Sequence, residues 1–249
     1  MRMRKRANLG PRMERCAALL TDAAAAPRGN WLARFPGHDG LYLEIGCGKG
    51  RFTADTAESM PDKLYVALEK VPDAMILAME RVRDRGLDNV RFLDADAAGL
   101  KELFDDGEVA RIYINFCDPW PKSRDAKLRL TAPGFLRLYG DLLPPGGQIH
   151  FKTDNGPLFR WSVEQLQAEG WALSELTEDL HAAGTVGVLT DYEAKFCALG
   201  WKIHRLVATR TGETKNTAAG PVPRLRNASL TDAKGYEESV ERNRGKERA

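Results

Sequence analysis

The chain has 249 residues, 43% of them hydrophobic and 29% charged, with a formal net charge of +2. This is enough apolar material for one α/β domain with a substantial core, and the mildly basic balance permits a nucleic-acid partner without demanding one. No apolar run approaches a membrane span, MRMRKR at the start is not followed by a signal-like apolar stretch, and Cys16, Cys47, Cys117 and Cys197 lack ligand spacing. Membrane insertion, export, a disulfide framework and a metal site are therefore set aside, and a cytoplasmic protein is expected.

In chain order, residues 1–39 read as a basic arm, an Ala-rich helix over 15–26 and a Pro/Gly loop. From residue 40 short apolar runs alternate with amphipathic stretches: LYLEIG, a helix over 52–59, LYVALE, a helix over 72–85, then VRFLDAD. RIYINFCD, a helix over 133–143, GQIHFKTD and a helix over 157–169 continue the pattern. Strands alternating with helices of this length predict βαβ units. The expected fold class is α/β, Rossmann-like: a mainly parallel sheet with helices on both faces. WALSEL and WKIHRLVATR, separated by a Gly-containing loop and the short helix TDYEAKFCALG, add an antiparallel edge hairpin. This assigns residues 40–210 to the main domain. Residues 211–249 are poor in apolar groups and are expected to form a flexible tail.

The strand ends share a feature. LYLEIG carries Glu44, LYVALE ends in Glu69, the third run in Asp94 and Asp96, the fourth in Asp118 and the fifth in Asp154. Ligands of open parallel sheets bind outside the carboxyl ends of the strands, so these acids are expected to rim one crevice. The turn after Glu44 reads IGCGKGR, with Gly46, Gly48 and Gly50 at alternate positions, and Arg51 stands where a dinucleotide fingerprint needs a small residue. A pyrophosphate would be repelled by a rim of carboxylates. S-adenosyl-L-methionine has no phosphate, carries a sulfonium and an ammonium, and offers ribose hydroxyls as donors, so it suits such a crevice, with Glu69 facing the ribose. The glycine turn alone also fits a nucleotide site or a structural turn.

LEIGCGKGRF, NVRFLDADA, NFCDPWPKSR, IHFKTDN, DLH at 179–181 and TDYEAKFCALG together resemble the bacterial tRNA (guanine-N7-)-methyltransferase family over most of residues 1–210. The resemblance implies a class I S-adenosylmethionine-dependent methyltransferase that forms 7-methylguanosine at position 46 in the tRNA variable loop. It places Glu44, Glu69, Asp96 and Asp118 at the cofactor, with Asp118 also the catalytic residue, and the turn glycines Gly46 and Gly48 are expected to let that cofactor approach the backbone. Lys122, Asp154, Thr190, Asp191, Tyr192 and Glu193 match substrate-contacting positions. Residues 124–129 correspond to an RNA-contacting segment usually close to R-H-x-K-R-R. Here it reads RDAKLR, with Asp125 and Leu128 in place of the usual histidine and arginine, leaving Arg124, Lys127 and Arg129 as cations. The implied partner is tRNA, with no obligatory protein partner and a monomer or homodimer expected.

The residues also have plainer readings. Pro119 and Pro121 stiffen the loop after Asp118, and Trp120 between them either packs in the core or offers a face to a base. Thr190 and Glu193 have capping-box spacing, which is compatible with a role at the substrate. Asp154 and Glu193 could equally be a helix cap or a surface ion pair. Two rival functions fit parts of the pattern: a methyltransferase acting on an exocyclic amine of another nucleic acid or protein, and a non-catalytic RNA-binding relative.

Overall fold

In the computed structural model, which describes residues 7–212, seven strands form one sheet in the order β3-β2-β1-β4-β5-β7-β6. The strands are β1 (Gly40–Ile45), β2 (Lys63–Leu68), β3 (Val90–Leu93), β4 (Arg111–Asn115), β5 (Gln148–Thr153), β6 (Ala172–Thr177) and β7 (His204–Thr209). The first five run parallel; β7 pairs antiparallel with β5, and β6 pairs antiparallel with β7. The predicted edge hairpin therefore exists, with its second strand inserted next to β5. Every residue of β1 is buried, as expected for a central strand covered on both faces.

Alternation along the strands sorts two cores. Leu41, Leu43 and Ile45 of β1, Ile112 and Ile114 of β4, and Ile149 and Phe151 of β5 face one side, under α6 (Pro133–Leu142) and α7 (Gly156–Ala168). Tyr42, Tyr65 and Tyr113 face the other, under α3 (Arg51–Ser59) and α4 (Pro72–Asp84). Prolines open α4, α6 and α7, where a missing N–H costs nothing. Gly50 precedes α3 with φ 73°, and a Cβ there would lie 2.4 Å from the Cβ of Ala78. The close approach of α3 to α4 thus requires glycine.

The N-terminal segment departs from expectation. The helix runs over α1 (Leu9–Arg15), not 15–26; residues 17–19 and 23–25 are single 3-10 turns. The reason is tertiary: Thr21 N–H donates to Phe92 O at 2.9 Å, Leu20 bridges to β3, and the Asp22 side chain caps the second turn. A continuous helix would forfeit these contacts. The segment is well anchored. Trp31, in the short helix α2 (Trp31–Arg34), is completely buried and donates through Nε1 to Leu103 O, while Arg12 makes a two-pronged contact with Glu80 of α4. The basic MRMRKR start and the tail from residue 213 lie outside the described residues.

Candidate active site

The order of strands reverses between β1 and β4, and a cavity of about 190 Å³ opens there, at the carboxyl ends of β1, β2, β3 and β4. Its wall is built from the glycine turn at Gly46, from Glu69 and Lys70 after β2, from Asp96 after β3 and from the Asn115–Asp118 stretch with Trp120. Gly46 and Gly48 both adopt left-handed φ, 81° and 57°. The turn is tied down by Glu69, which accepts from Gly48 N–H and Val71 N–H, both at 2.9 Å. Burial pushes the Glu69 carboxyl above its usual range, and the two backbone donors oppose that shift. Asp96 accepts from Ala98 N–H at 2.9 Å and lies 3.9 Å from the Lys70 ammonium.

The loop after β4 carries Asp118 at its exposed rim. Phe116 and Trp120 on either side have φ 54° and 42°, a conformation unfavourable for bulky side chains and persistent only where surroundings impose it. Two contacts impose it here. Phe116 N–H donates to Lys152 O at 2.8 Å, and Arg129 donates to Pro119 O at 2.9 Å and to Trp120 O at 3.0 Å. Trp120 lines the cavity, part-exposed, so of its two sequence readings the core-packing one does not describe it fully. Cys117 is packed so that burial raises its thiol to about 12, and all four cysteines are free thiols.

The acids of the strand ends do not form a single rim. Glu69, Asp96 and Asp118 line the cavity; Glu44, Asp94 and Asp154 do not. Glu44 lies within β1, on the face opposite Ile45, where it accepts from Thr53 Oγ1 at 2.6 Å, Tyr65 Oη at 3.4 Å and Asn115 Nδ2 at 3.5 Å. Burial raises it to about 7. Its partner Asn115 does line the cavity. Asp94 is exposed beyond β3. Asp154 follows β5 and accepts from Tyr192 Oη at 3.0 Å.

Predicted substrate residues divide likewise. Lys122, at the N-cap of the 3-10 turns over Ser123–Leu128, and Arg124 and Lys127 within them are exposed. Arg129 is turned inward: besides bracing the loop, its guanidinium lies 4.4 Å from the Trp161 ring centroid. Leu128, the uncharged replacement in RDAKLR, lines the cavity wall. Thr190 and Glu193 do form a complete capping box at the start of α8 (Asp191–Cys197). Glu193 is fully buried, paired with Lys152 at 2.6 Å, and Asp191 is held by both Arg81 nitrogens at 3.0 and 3.3 Å. Sequence reasoning passed over Asn115, Phe116 and Lys152. The signal was present as an amide and a lysine inside apolar strands, positions where a polar group must have a partner.

A family model described as "Putative methyltransferase" matches residues 38–206. The tRNA (guanine-N(7)-)-methyltransferase of Exiguobacterium sibiricum is 44% identical over 185 residues, covering 74% of this chain and 87% of its own. That of Bacillus velezensis is 38% identical over 206 residues, covering 82% and 95%. The chain belongs to the tRNA (guanine-N7-)-methyltransferase family. Among solved structures, the 16S rRNA methyltransferase KamB superposes with a TM-score of 0.55 at 19% identity, covering 70% of this chain and 88% of its own. The aminoglycoside resistance methyltransferase NpmB1 gives 0.52 at 18%, covering 74% and 93%. These likenesses establish the Rossmann-like fold that the alternating pattern predicted, in the methyltransferase form that the resemblance implied. As a member of this family, the chain carries the DPWPK loop and the carboxylate-lined cavity side by side on β4. Among the described residues no helix is long and apolar enough to cross a membrane, and no cluster of side chains suits a metal ion.

Proposed function

We propose that the protein transfers the methyl group of S-adenosyl-L-methionine to N7 of guanosine 46 in the tRNA variable loop, forming 7-methylguanosine. The observation that carries this reading is the Asp118 loop: an exposed carboxylate on a stiffened, cation-flanked turn beside a cavity with two further carboxylates. The donor set fits the cofactor. Glu69 and Asp96 are acceptors for ribose hydroxyls and an amine, the left-handed glycines let the ligand approach the backbone, and no cradle of N–H groups for a pyrophosphate is required. When bound, the cofactor supplies an electrophilic sulfonium methyl.

Guanine N7 has an in-plane lone pair and no proton, so the acceptor needs no general base. The protein's contribution reduces to alignment and electrostatics. Asp118 accepts from the guanine N–H edge and offsets the positive charge that develops on the ring. Phe116 and Trp120, locked in left-handed geometry, fix where that carboxylate sits. Lys122, Arg124 and Lys127 meet RNA phosphates, which gives affinity and register but no reading of sequence.

The test is transfer of labelled methyl to unmodified tRNA transcripts, with and without adenosine in place of the variable-loop guanosine, followed by nucleoside analysis. The expected result is 7-methylguanosine only in the guanosine-bearing transcripts. Label in an exocyclic amine, or in both transcripts equally, would overturn it.

A further inference from the structure

The DLH stretch and the FKTDN lysine have no task in the proposed reaction, yet they meet in the most buried charged cluster near the cavity. Glu193 is 0% exposed, and both oxygens of its carboxylate are engaged by protein groups. Lys152 Nζ donates to Oε2 at 2.6 Å, Thr190 N–H to the same oxygen at 3.2 Å, and His181 Nε2 meets Oε1 at 2.9 Å. Val186 N–H donates to His181 Nδ1 at 3.2 Å. Nδ1 therefore carries the lone pair, so the ring is the neutral tautomer that donates through Nε2.

The cluster sits between the catalytic loop and α8. On one side Lys152 accepts Phe116 N–H through its carbonyl oxygen, holding the left-handed residue two positions before Asp118. On the other its ammonium holds Glu193 and also donates to Val188 O at 3.0 Å. Next to Glu193, Tyr192 reaches back: its ring centroid is 5.0 Å from that of Phe116, a wall of the cavity, and its hydroxyl donates to Asp154. Lys152 and Asp154 are two apart at the end of β5, so Lys152–Glu193 and Asp154–Tyr192 are two adjacent rungs between the same strand and the same helical turn.

We propose that Lys152 and His181 are positioning residues for the methyl transfer: by sharing the buried Glu193 carboxylate they fix the first turn of α8, so that Tyr192 holds Asp154 and backs Phe116 at the acceptor side of the cavity. This inference rests on the tRNA methyltransferase reading for its reaction, but the clamp can be judged without it. His181 stands at the outer end of the cluster, so its variants leave the Lys152–Glu193 pair in place.

The experiment compares full-length wild type, His181→Ala and His181→Gln. The readouts are single-turnover methyl transfer to unmodified tRNA, S-adenosylhomocysteine affinity by calorimetry, and amide hydrogen exchange. For His181→Ala the expected result is a rate about tenfold lower, equivalent to one decade of transition-state stabilisation. Affinity should stay within about twofold, a change too small to register as a lost contact. Residues 186–197 should lose exchange protection while α3 and α4 keep theirs. His181→Gln, whose amide can still donate to Glu193, should recover most of the rate. A folded His181→Ala at the wild-type rate, or a His181→Gln no faster than His181→Ala, would overturn the positioning role. If wild type methylates no tRNA, the proposed function falls instead; unchanged protection of 186–197 in His181→Ala would then overturn the clamp on its own.

Discussion

Glu69 and Glu193 are both acids at the carboxyl edge of one sheet, and they are held in opposite ways. Glu69 accepts only from backbone N–H groups among its hydrogen bonds in the structure and lines a cavity. Glu193 is enclosed by an ammonium, an imidazole and a backbone amide and is not among the residues that line that cavity. An acid secured by backbone dipoles keeps its charge available to a ligand, whereas one neutralised by a buried cation is spent on architecture. A motif position is thus a reagent or a fastening according to what encloses it.

The sharpest way to break this comparison is to remove the buried cation. Lys152→Met leaves the Glu193 charge unpaired, and unfolding free energy should fall by about 3–5 kcal/mol, measured by urea denaturation. Adding Glu193→Leu should recover much of that loss. A small loss in the single variant would mean that the pair is far wetter than its burial indicates.

Glu44 gives the next largest effect, through pH. Its folded-state pKa is raised to about 7 from an ordinary 4.5, because burial disfavours the charged form. The folded state therefore binds the extra proton, so this contribution to stability is fully present below about pH 4.5 and is lost as pH rises through about 7. Relative to Glu44→Gln, which cannot ionise, wild type should lose up to about 3 kcal/mol between about pH 4.5 and about pH 8, because each tenfold difference in proton affinity between folded and unfolded chains is worth about 1.4 kcal/mol. Parallel stability curves for the two proteins would refute the raised pKa.

On the cavity side, Asp118→Ala should lower single-turnover methyl transfer about 100-fold while changing tRNA affinity no more than about threefold, the pattern of lost transition-state stabilisation. Equal losses in rate and binding would recast Asp118 as a binding residue. Arg124→Ala should act least: tRNA affinity should fall a few-fold and the slope of log affinity against log salt should lessen by about 1, with the rate at saturation unchanged. An unaltered slope would remove that cation from the RNA face.

Much of this was legible in the sequence. The βαβ alternation, the edge hairpin, the glycine turn and the Asp118 loop follow from apolar periodicity, turn chemistry and proline restriction, all of which are local and survive any packing. The capping box of Thr190 and Glu193 was legible for the same reason. The helix expected over 15–26 was not realised, because pairing of residues 20 and 21 with β3 outweighed the helix propensity of alanine. Glu44 read as a rim acid because it stands near the end of the first apolar run; it lies within β1, and strand alternation turned it to the face opposite Ile45. Arg129 stands among the RNA-contacting cations that the resemblance implies, and in the structure its donors close on Pro119 and Trp120.

What the sequence by itself determined is the class of fold, the family and the stiff loop that carries Asp118, since these depend on spacings within a few turns of chain. Only the tertiary structure decided which acids line the cavity. Residues as far apart in the chain as Lys152 and Glu193, separated by 41 positions, can cancel one another's charge in a dry interior, and whether they meet is set by how β5 and α8 pack.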